Sequence, residues 1–179
     1  YPVLGRLGDG AASTIYRIRD PRSGEEFALK HVVKRGDKDQ RFIDQVVEEQ
    51  RIGSRLEHES IRRIGRLLRR RRKFRVVEVG LIMEYVDAPG LDTVQGKSLL
   101  ENIRIFTRIA EGLLAMHEAG IVHTDIKPTN VLVDDSVVKI IDLGQACQIG
   151  TTKERIQGTP GYIAPEQAHR RRITERTDV

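Results

Sequence analysis

The chain has 179 residues, a formal net charge of +5, 39% hydrophobic and 32% charged residues, which is the balance of a soluble globular protein with one domain or two small lobes. Its one cysteine, Cys147, excludes an internal disulfide and fits a reducing compartment, so a cytoplasmic location is expected. Within this segment no apolar run approaches the roughly 18 residues that span a bilayer, and no signal-peptide pattern occurs in it.

Tyr1 to Leu7 and Ser13 to Asp20 read as two strands around Gly8-Asp9-Gly10-Ala11-Ala12. Glycines there let the backbone approach phosphate oxygens and present N–H groups to them, although a Gly-x-Gly by itself is a weak signal for which a plain hairpin turn is the better reading. Pro21-Arg22-Ser23-Gly24 is a turn into Glu26-Phe27-Ala28-Leu29-Lys30, where strand alternation puts Ala28 and Lys30 on one face. A small apolar residue beside a lysine suits a cleft in which one touches an adenine and the other reaches phosphates. From Asp39 to Leu56 the spacing predicts a helix with Phe42, Val46, Gly53 and Leu56 on one inward stripe, and Glu49 on the same stripe. A carboxylate on an apolar face is costly unless paired, and Lys30 is its natural partner. Glu48, the alternative, lies about 100° around the helix.

Ile61 to Arg71 and Val76 to Val86 read as two further strands, flanking the basic run Arg69 to Lys73. Such a run can contact nucleic acid or an anionic membrane. With no interleaved aromatic but Phe74 it reads instead as a solvated hairpin, and no nucleic-acid partner is expected. Asp87-Ala88-Pro89-Gly90 breaks the strand and divides the chain into 1–86 and 87–179. Ser98-Leu99-Leu100-Glu101 is a capping box. Ile103, Phe106, Ile109, Ala110, Leu113, Leu114 and His117 follow at helical spacing until Gly120, a core helix whose Met116 needs no ligand role.

Val131 to Val133 and Val137 to Ile141 read as a hairpin turning at Asp134-Asp135-Ser136. Around it stand Asp125, Lys127, Asn130 and Asp142. Two carboxylates, an amide and an ammonium on loops between apolar runs suit metal-assisted chemistry on a phosphate. A carboxylate can take a hydroxyl proton, the amide oxygen and second carboxylate can hold Mg²⁺, and the lysine can neutralise phosphoryl charge. Singly, each is an ordinary turn residue. A polar segment with Cys147, Thr151 and Thr152 then leads to Gly158-Thr159-Pro160-Gly161-Tyr162-Ile163-Ala164-Pro165-Glu166. Nothing near Cys147 argues for a reactive thiolate.

In this order the motifs resemble the catalytic domain of eukaryotic-like (Hanks-type) protein kinases. His123-Thr124-Asp125 stands where the family has His-Arg-Asp, Asp142-Leu143-Gly144 where it has Asp-Phe-Gly, and Ala164-Pro165-Glu166 is intact. The resemblance implies an α+β, two-lobed fold. Residues 1–86 would form an antiparallel sheet plus one helix, and 87–179 a mainly helical lobe that is incomplete, stopping at Thr177-Asp178-Val179 where the family begins a long helix. It implies ATP held by Leu7, Gly8, Gly10, Ile15, Ala28, Lys30, Glu49, Met83, Glu84, Val86 and Leu132, and Mg²⁺ held by Asn130 and Asp142. Asp125 becomes the catalytic base and Lys127 a contact to the transferred phosphoryl. Lys127 and Thr159 resemble serine/threonine rather than tyrosine kinases, and Ala-Pro-Glu-Gln is similar to bacterial ones, so the implied partner is a protein with a Ser or Thr acceptor.

Ser13 replaces the third glycine of the loop, and Thr124 replaces the arginine that in many members pairs with a phosphorylated activation-loop residue. Weak or no dependence on such phosphorylation is therefore expected. The rival readings are a kinase-like scaffold without catalysis and a small-molecule phosphotransferase of related fold. Retention of Lys30, Asp125, Asn130 and Asp142 speaks against the first, and the Ala-Pro-Glu segment against the second.

Overall fold

The computed structural model describes residues 1–10 and 12–179; Ala11, in the expected glycine-rich turn, lies outside them. The described chain divides into two compact units, Tyr1–Ser54 with Arg63–Val86, and Arg55–Arg62 with Asp87–Val179.

The first unit is an antiparallel sheet of β1 (Val3–Asp9), β2 (Thr14–Arg19), β3 (Glu26–Val33), β4 (Ile64–Arg72) and β5 (Arg75–Glu84) in the order β1-β2-β3-β5-β4, with one helix, α1 (Gln40–Gly53). The Asp39 carboxylate accepts from the Arg35 and Gly36 amides at 2.8 and 2.9 Å and so fixes the turn that enters α1. The helix buries Ile43, Val46, Ile52 and Gly53 together with Glu49, and it packs on β3, β4 and β5. Phe42, expected on the inward stripe, is displaced from it by Ile43. The Phe42 ring lies half-buried under the Arg41 guanidinium, 4.5 Å from its centroid. Ile61 also departs from expectation. It is not in β4 but forms a parallel bridge with Ile140 in the second unit. The basic run sits on the β4–β5 hairpin with Phe74 exposed at its tip, and Arg70 pairs with Glu78.

The second unit is built on α2 (Leu99–Glu118), followed by β6 (Ile121–Val122), β7 (Val131–Val133), β8 (Val138–Ile140), β9 (Cys147–Gln148) and the short α3 (Pro165–Ala168). The capping box is present: Ser98 Oγ accepts from the Glu101 amide at 3.3 Å, and Glu101 accepts from the Ser98 amide at 2.8 Å. The buried face of α2 carries Ile105, Ile109, Gly112, Leu113 and Met116. Ile103, Phe106 and Leu114, expected inside, are exposed. A helix apolar on both sides gives two stripes, and contact with β6 and β8 selects the one containing Gly112. A Cβ at Gly112 would stand 2.9 Å from Ile140 Cδ1 and 3.2 Å from Ser60 Cβ, so glycine permits this close approach without displacing either side chain. β7 and β8 pair antiparallel, Val131 opposite Ile140, and β6 pairs with β9. No helix among the described residues is long and apolar enough to cross a membrane.

Candidate active site

In the first unit the strand register assembles the predicted nucleotide residues. Gly8 faces Ile15 and Ile15 faces Lys30, so the three form a row across β1, β2 and β3. Ala28 faces Met83 across β3 and β5, and both are buried. Leu7 is exposed. At Gly8 a Cβ would meet nothing, whereas at Gly10 it would come 2.6 Å from Ser13 Oγ. The Gly10 amide donates to the Ser13 carbonyl at 2.8 Å, so Ser13, at the position of the missing glycine, closes tightly on Gly10. Glu84 spends its amide on the Arg63 carbonyl at 2.9 Å. Lys30 Nζ donates to Glu49 Oε2 at 2.7 Å, with the Glu49 side chain 0% and the Lys30 side chain 12% exposed. Glu48 turns to Arg51 instead, whose guanidinium lowers the Glu48 pKa by hydrogen bonding.

In the second unit, β6 delivers the chain to Asp125 and β8 delivers it to Asp142. Buried His123 ties these two loops together. Its Nδ1 accepts from the Asp125 amide at 3.3 Å, and its Nε2 donates to the Ile141 carbonyl at 3.2 Å, which assigns the proton to Nε2. The Ile141 amide donates to the Asn130 carbonyl at 2.8 Å and fixes the third member. Asn130 Nδ2 donates to the Asp125 carbonyl at 2.9 Å and to Asp125 Oδ2 at 3.3 Å. Lys127 Nζ lies 3.2 Å from Asp125 Oδ2 and donates to Thr159 Oγ1 at 2.6 Å, and that hydroxyl donates to Asp125 Oδ1 at 2.8 Å. Asp142 is left-handed, φ 61°, and accepts from the Gly144 amide at 3.4 Å. Leu132, at the middle of β7, is half-buried.

Several participants were not selected as site residues from sequence. Thr159 bridges Asp125 and Lys127 from more than thirty positions downstream. Asp178 accepts from the His123 and Thr124 amides at 2.8 and 2.7 Å and pairs with His117 Nε2 at 2.9 Å. Gln167, buried in α3, donates to the Thr124 carbonyl at 2.8 Å. No local pattern signals such contacts, because each joins residues far apart in the chain. Cys147 is half-buried, and burial raises its thiol pKa, in keeping with an unreactive side chain.

The donor set fits a hard divalent cation bound together with phosphates. Among the described residues no three His, Cys, Asp or Glu side chains gather into a protein-only metal cage. Asn130 gives its amide nitrogen to Asp125, so its oxygen is the atom left to ligate, and Asp142 adds a carboxylate. Mg²⁺ characteristically takes one or two such protein oxygens and completes its shell with phosphate and water.

Comparison with known proteins identifies the family. A family model described as protein kinase domain matches residues 1–179. Mitogen-activated protein kinase kinase 7 of Arabidopsis thaliana is 32% identical over 90% of this chain and 52% of its own length. Serine/threonine-protein kinase AfsK of Streptomyces coelicolor is 32% identical over all of this chain and 23% of its own length. A probable serine/threonine-protein kinase PknB of Corynebacterium glutamicum is 28% identical over all of this chain and 29% of its own length. The chain thus spans about half or less of these relatives. With its five-stranded sheet, the Lys30–Glu49 pair and the Asp125–Asn130–Asp142 loops, this chain belongs to the protein kinase domain family.

Proposed function

We propose that the chain is the phosphotransfer domain of a serine/threonine protein kinase, moving the γ-phosphoryl group of ATP to a Ser or Thr hydroxyl of a protein. The observation that carries this reading is the Asp125–Thr159–Lys127 cluster, in which one carboxylate is held by a hydroxyl, an ammonium and an amide. A carboxylate oriented on both oxygens is suited to align an incoming hydroxyl and take its proton as the new O–P bond forms and ADP leaves. Lys127, beside it, steadies the negative charge on the transferred group. Thr159 makes the same contact from the segment that precedes Ala164-Pro165-Glu166, consistent with a hydroxyl-bearing peptide as acceptor.

Lys30, held by Glu49, pairs with the α- and β-phosphates, and Ala28, Met83, Leu7 and Ile15 supply apolar surface for the adenine. The Glu84 carbonyl and the Val86 amide are the backbone groups assigned to its polar edge, since the Glu84 amide is already used. Asn130 and Asp142 hold Mg²⁺, which when bound neutralises phosphate charge. The single free cysteine supports a reducing, cytoplasmic setting.

The test is transfer of labelled γ-phosphate from Mg-ATP to a generic basic protein by the full-length protein and its Asp125→Asn variant. Transfer that falls about 10²–10⁴-fold in the variant, with nucleotide still bound, is the expected result. Nucleotide binding without transfer in the unaltered protein would replace this reading by a binding scaffold.

A further inference from the structure

Lys153 belongs to the polar segment after β9, yet its ammonium reaches back to the loop that carries Asp125. Nζ donates to Thr124 Oγ1 at 2.8 Å and to the Gln145 carbonyl at 2.6 Å. Thr124 Oγ1 donates to the same carbonyl at 2.8 Å, so ammonium, hydroxyl and carbonyl close a ring of three hydrogen bonds. Lys153 is half-buried, and burial lowers its pKa against the opposing pull of Cys147, Asp125 and Asp178. An ammonium withdrawn from water needs acceptors, and Thr124 and Gln145 provide them.

The residue so gripped is a strained one. Thr124 is left-handed, φ 65°, which is unfavourable for any side chain branched at Cβ, and it immediately precedes Asp125. Such a conformation persists only when its surroundings over-determine it. Here every polar atom of Thr124 is engaged: its amide with Asp178, its carbonyl with Gln167, and its hydroxyl with Gln145 and Lys153. Of these ties, the Lys153 ammonium is the one that comes from the Thr151–Gly158 stretch.

We propose that Lys153 is a positioning residue: it holds Thr124, and through it Asp125, from the activation segment, so that a lysine of the segment itself does the ordering otherwise assigned to a phosphate. The cation comes from the segment, and its acceptors are the Thr124 hydroxyl before Asp125 and the Gln145 carbonyl just after Asp142, the reverse of an arginine at 124 awaiting a phosphorylated residue. This rests on the reading of Asp125 as the base. It adds that the segment is locked without modification of Thr151 or Thr152.

The experiment uses Lys153→Met, which keeps the stem and removes the charge, alongside Lys153→Arg, Thr124→Val and the double variant Lys153→Met/Thr124→Val, all in the full-length protein. Hydrogen exchange over 143–158 and 123–127 is measured with kcat and the KM for ATP. Lys153→Met is expected to speed exchange in both stretches and to lower kcat between tenfold and about 10²-fold, the scale of a misplaced catalytic group, with the KM for ATP unchanged. Lys153→Arg restores most of both, and the double variant loses no more than the worse single one. Thr151→Ala and Thr152→Ala change neither. Unaltered exchange in Lys153→Met, or losses that multiply in the double variant, would overturn the proposal. Should the unaltered protein prove to be a scaffold without transfer, exchange alone still decides whether Lys153 holds the loop.

Discussion

Replacing Lys30 with methionine isolates the energetics of the buried pair. The Glu49 side chain is 0% exposed and its Oε2 lies 2.7 Å from Lys30 Nζ. Breaking a buried ion pair by removing one partner costs about 3–5 kcal/mol, because the remaining charge is left in a poorly solvating interior. The carboxyl can escape part of this by taking up a proton. For an ordinary glutamate of pKa about 4.5 that costs about 3.4 kcal/mol at pH 7 and about 0.7 kcal/mol at pH 5, which caps the electrostatic penalty at each pH. The folded-state pKa of Glu49 in the variant then lies above its unfolded value. The variant is therefore favoured below the unfolded pKa and loses stability as the pH rises towards the folded one. Urea and thermal unfolding followed by far-ultraviolet circular dichroism should show Lys30→Met weakened by about 3–4 kcal/mol at pH 7, a fall of roughly 6–16 °C in Tm, and by only about 1–2 kcal/mol at pH 5. Lys30→Met/Glu49→Leu should recover most of the loss, since an apolar pair of similar volume replaces the ions. A loss under about 1 kcal/mol at pH 7, or one independent of pH, would refute the reasoning.

Three other outcomes follow from the geometry. Thr159→Val keeps the shape but removes the hydroxyl between Lys127 and Asp125; kcat should fall at least about tenfold with the KM for ATP unchanged, and an unaltered kcat would dismiss the bridge. Asp20, Asp39 and Asp134 are held below their ordinary 3.8 by backbone amides, Glu101 below its ordinary 4.5 by Ser98, and Glu26 below 4.5 by Arg19 and Arg17. Their stabilisation is present above the ordinary values and is lost as pH falls through the folded ones, so the urea midpoint should drop between pH 5 and pH 3. A midpoint that stays level over that range would contradict this. Cys147, its pKa raised by burial, should react with a thiol-selective reagent at neutral pH more slowly than free cysteine does. Labelling as fast as free cysteine would show that the thiol is accessible and ionised.

What the sequence reveals is what local rules govern. Ser98 and Glu101 announce the start of α2 because a capping box is satisfied within one turn. Asp134 announces the β7–β8 turn because its carboxylate accepts from the Ser136 and Val137 amides at 2.7 Å. Glu49 is legible because a carboxylate on an apolar stripe demands a partner, and strand alternation supplies Lys30. Periodicity fails where two answers share one period. On α2 it selects Ile103, Phe106 and Leu114 as readily as Ile105, Ile109 and Met116, and only the close approach of Gly112 to Ile140 decides. On α1 it errs by a single residue, Phe42 for Ile43, because a large aromatic beside Arg41 can lie on the boundary of the stripe. Thr159, Gln167 and Asp178 are beyond such rules, since their contacts with Asp125 and Thr124 bridge long stretches of chain.

The candidate site is thus held mainly by residues that have no part in the chemistry. Thr124, which precedes the proposed base, and Asp142, itself a proposed metal ligand, are each left-handed without being glycine, and each carries about 1–3 kcal/mol of backbone strain. A neutral hydrogen bond contributes about 0.5–1.5 kcal/mol net and one to a charged group about 1.5–3. Thr124 donates its amide to the Asp178 carboxylate and accepts from the Lys153 ammonium at its hydroxyl, two charged bonds that are enough to offset that strain, with Gln167 locking the carbonyl. The tie to Asp178 anchors the backbone before Asp125 to the turn at Glu175–Asp178, and Lys153 couples the same residue to the stretch 151–158. Asp125 is therefore positioned through Thr124 by two residues of later sequence, Asp178 and Lys153.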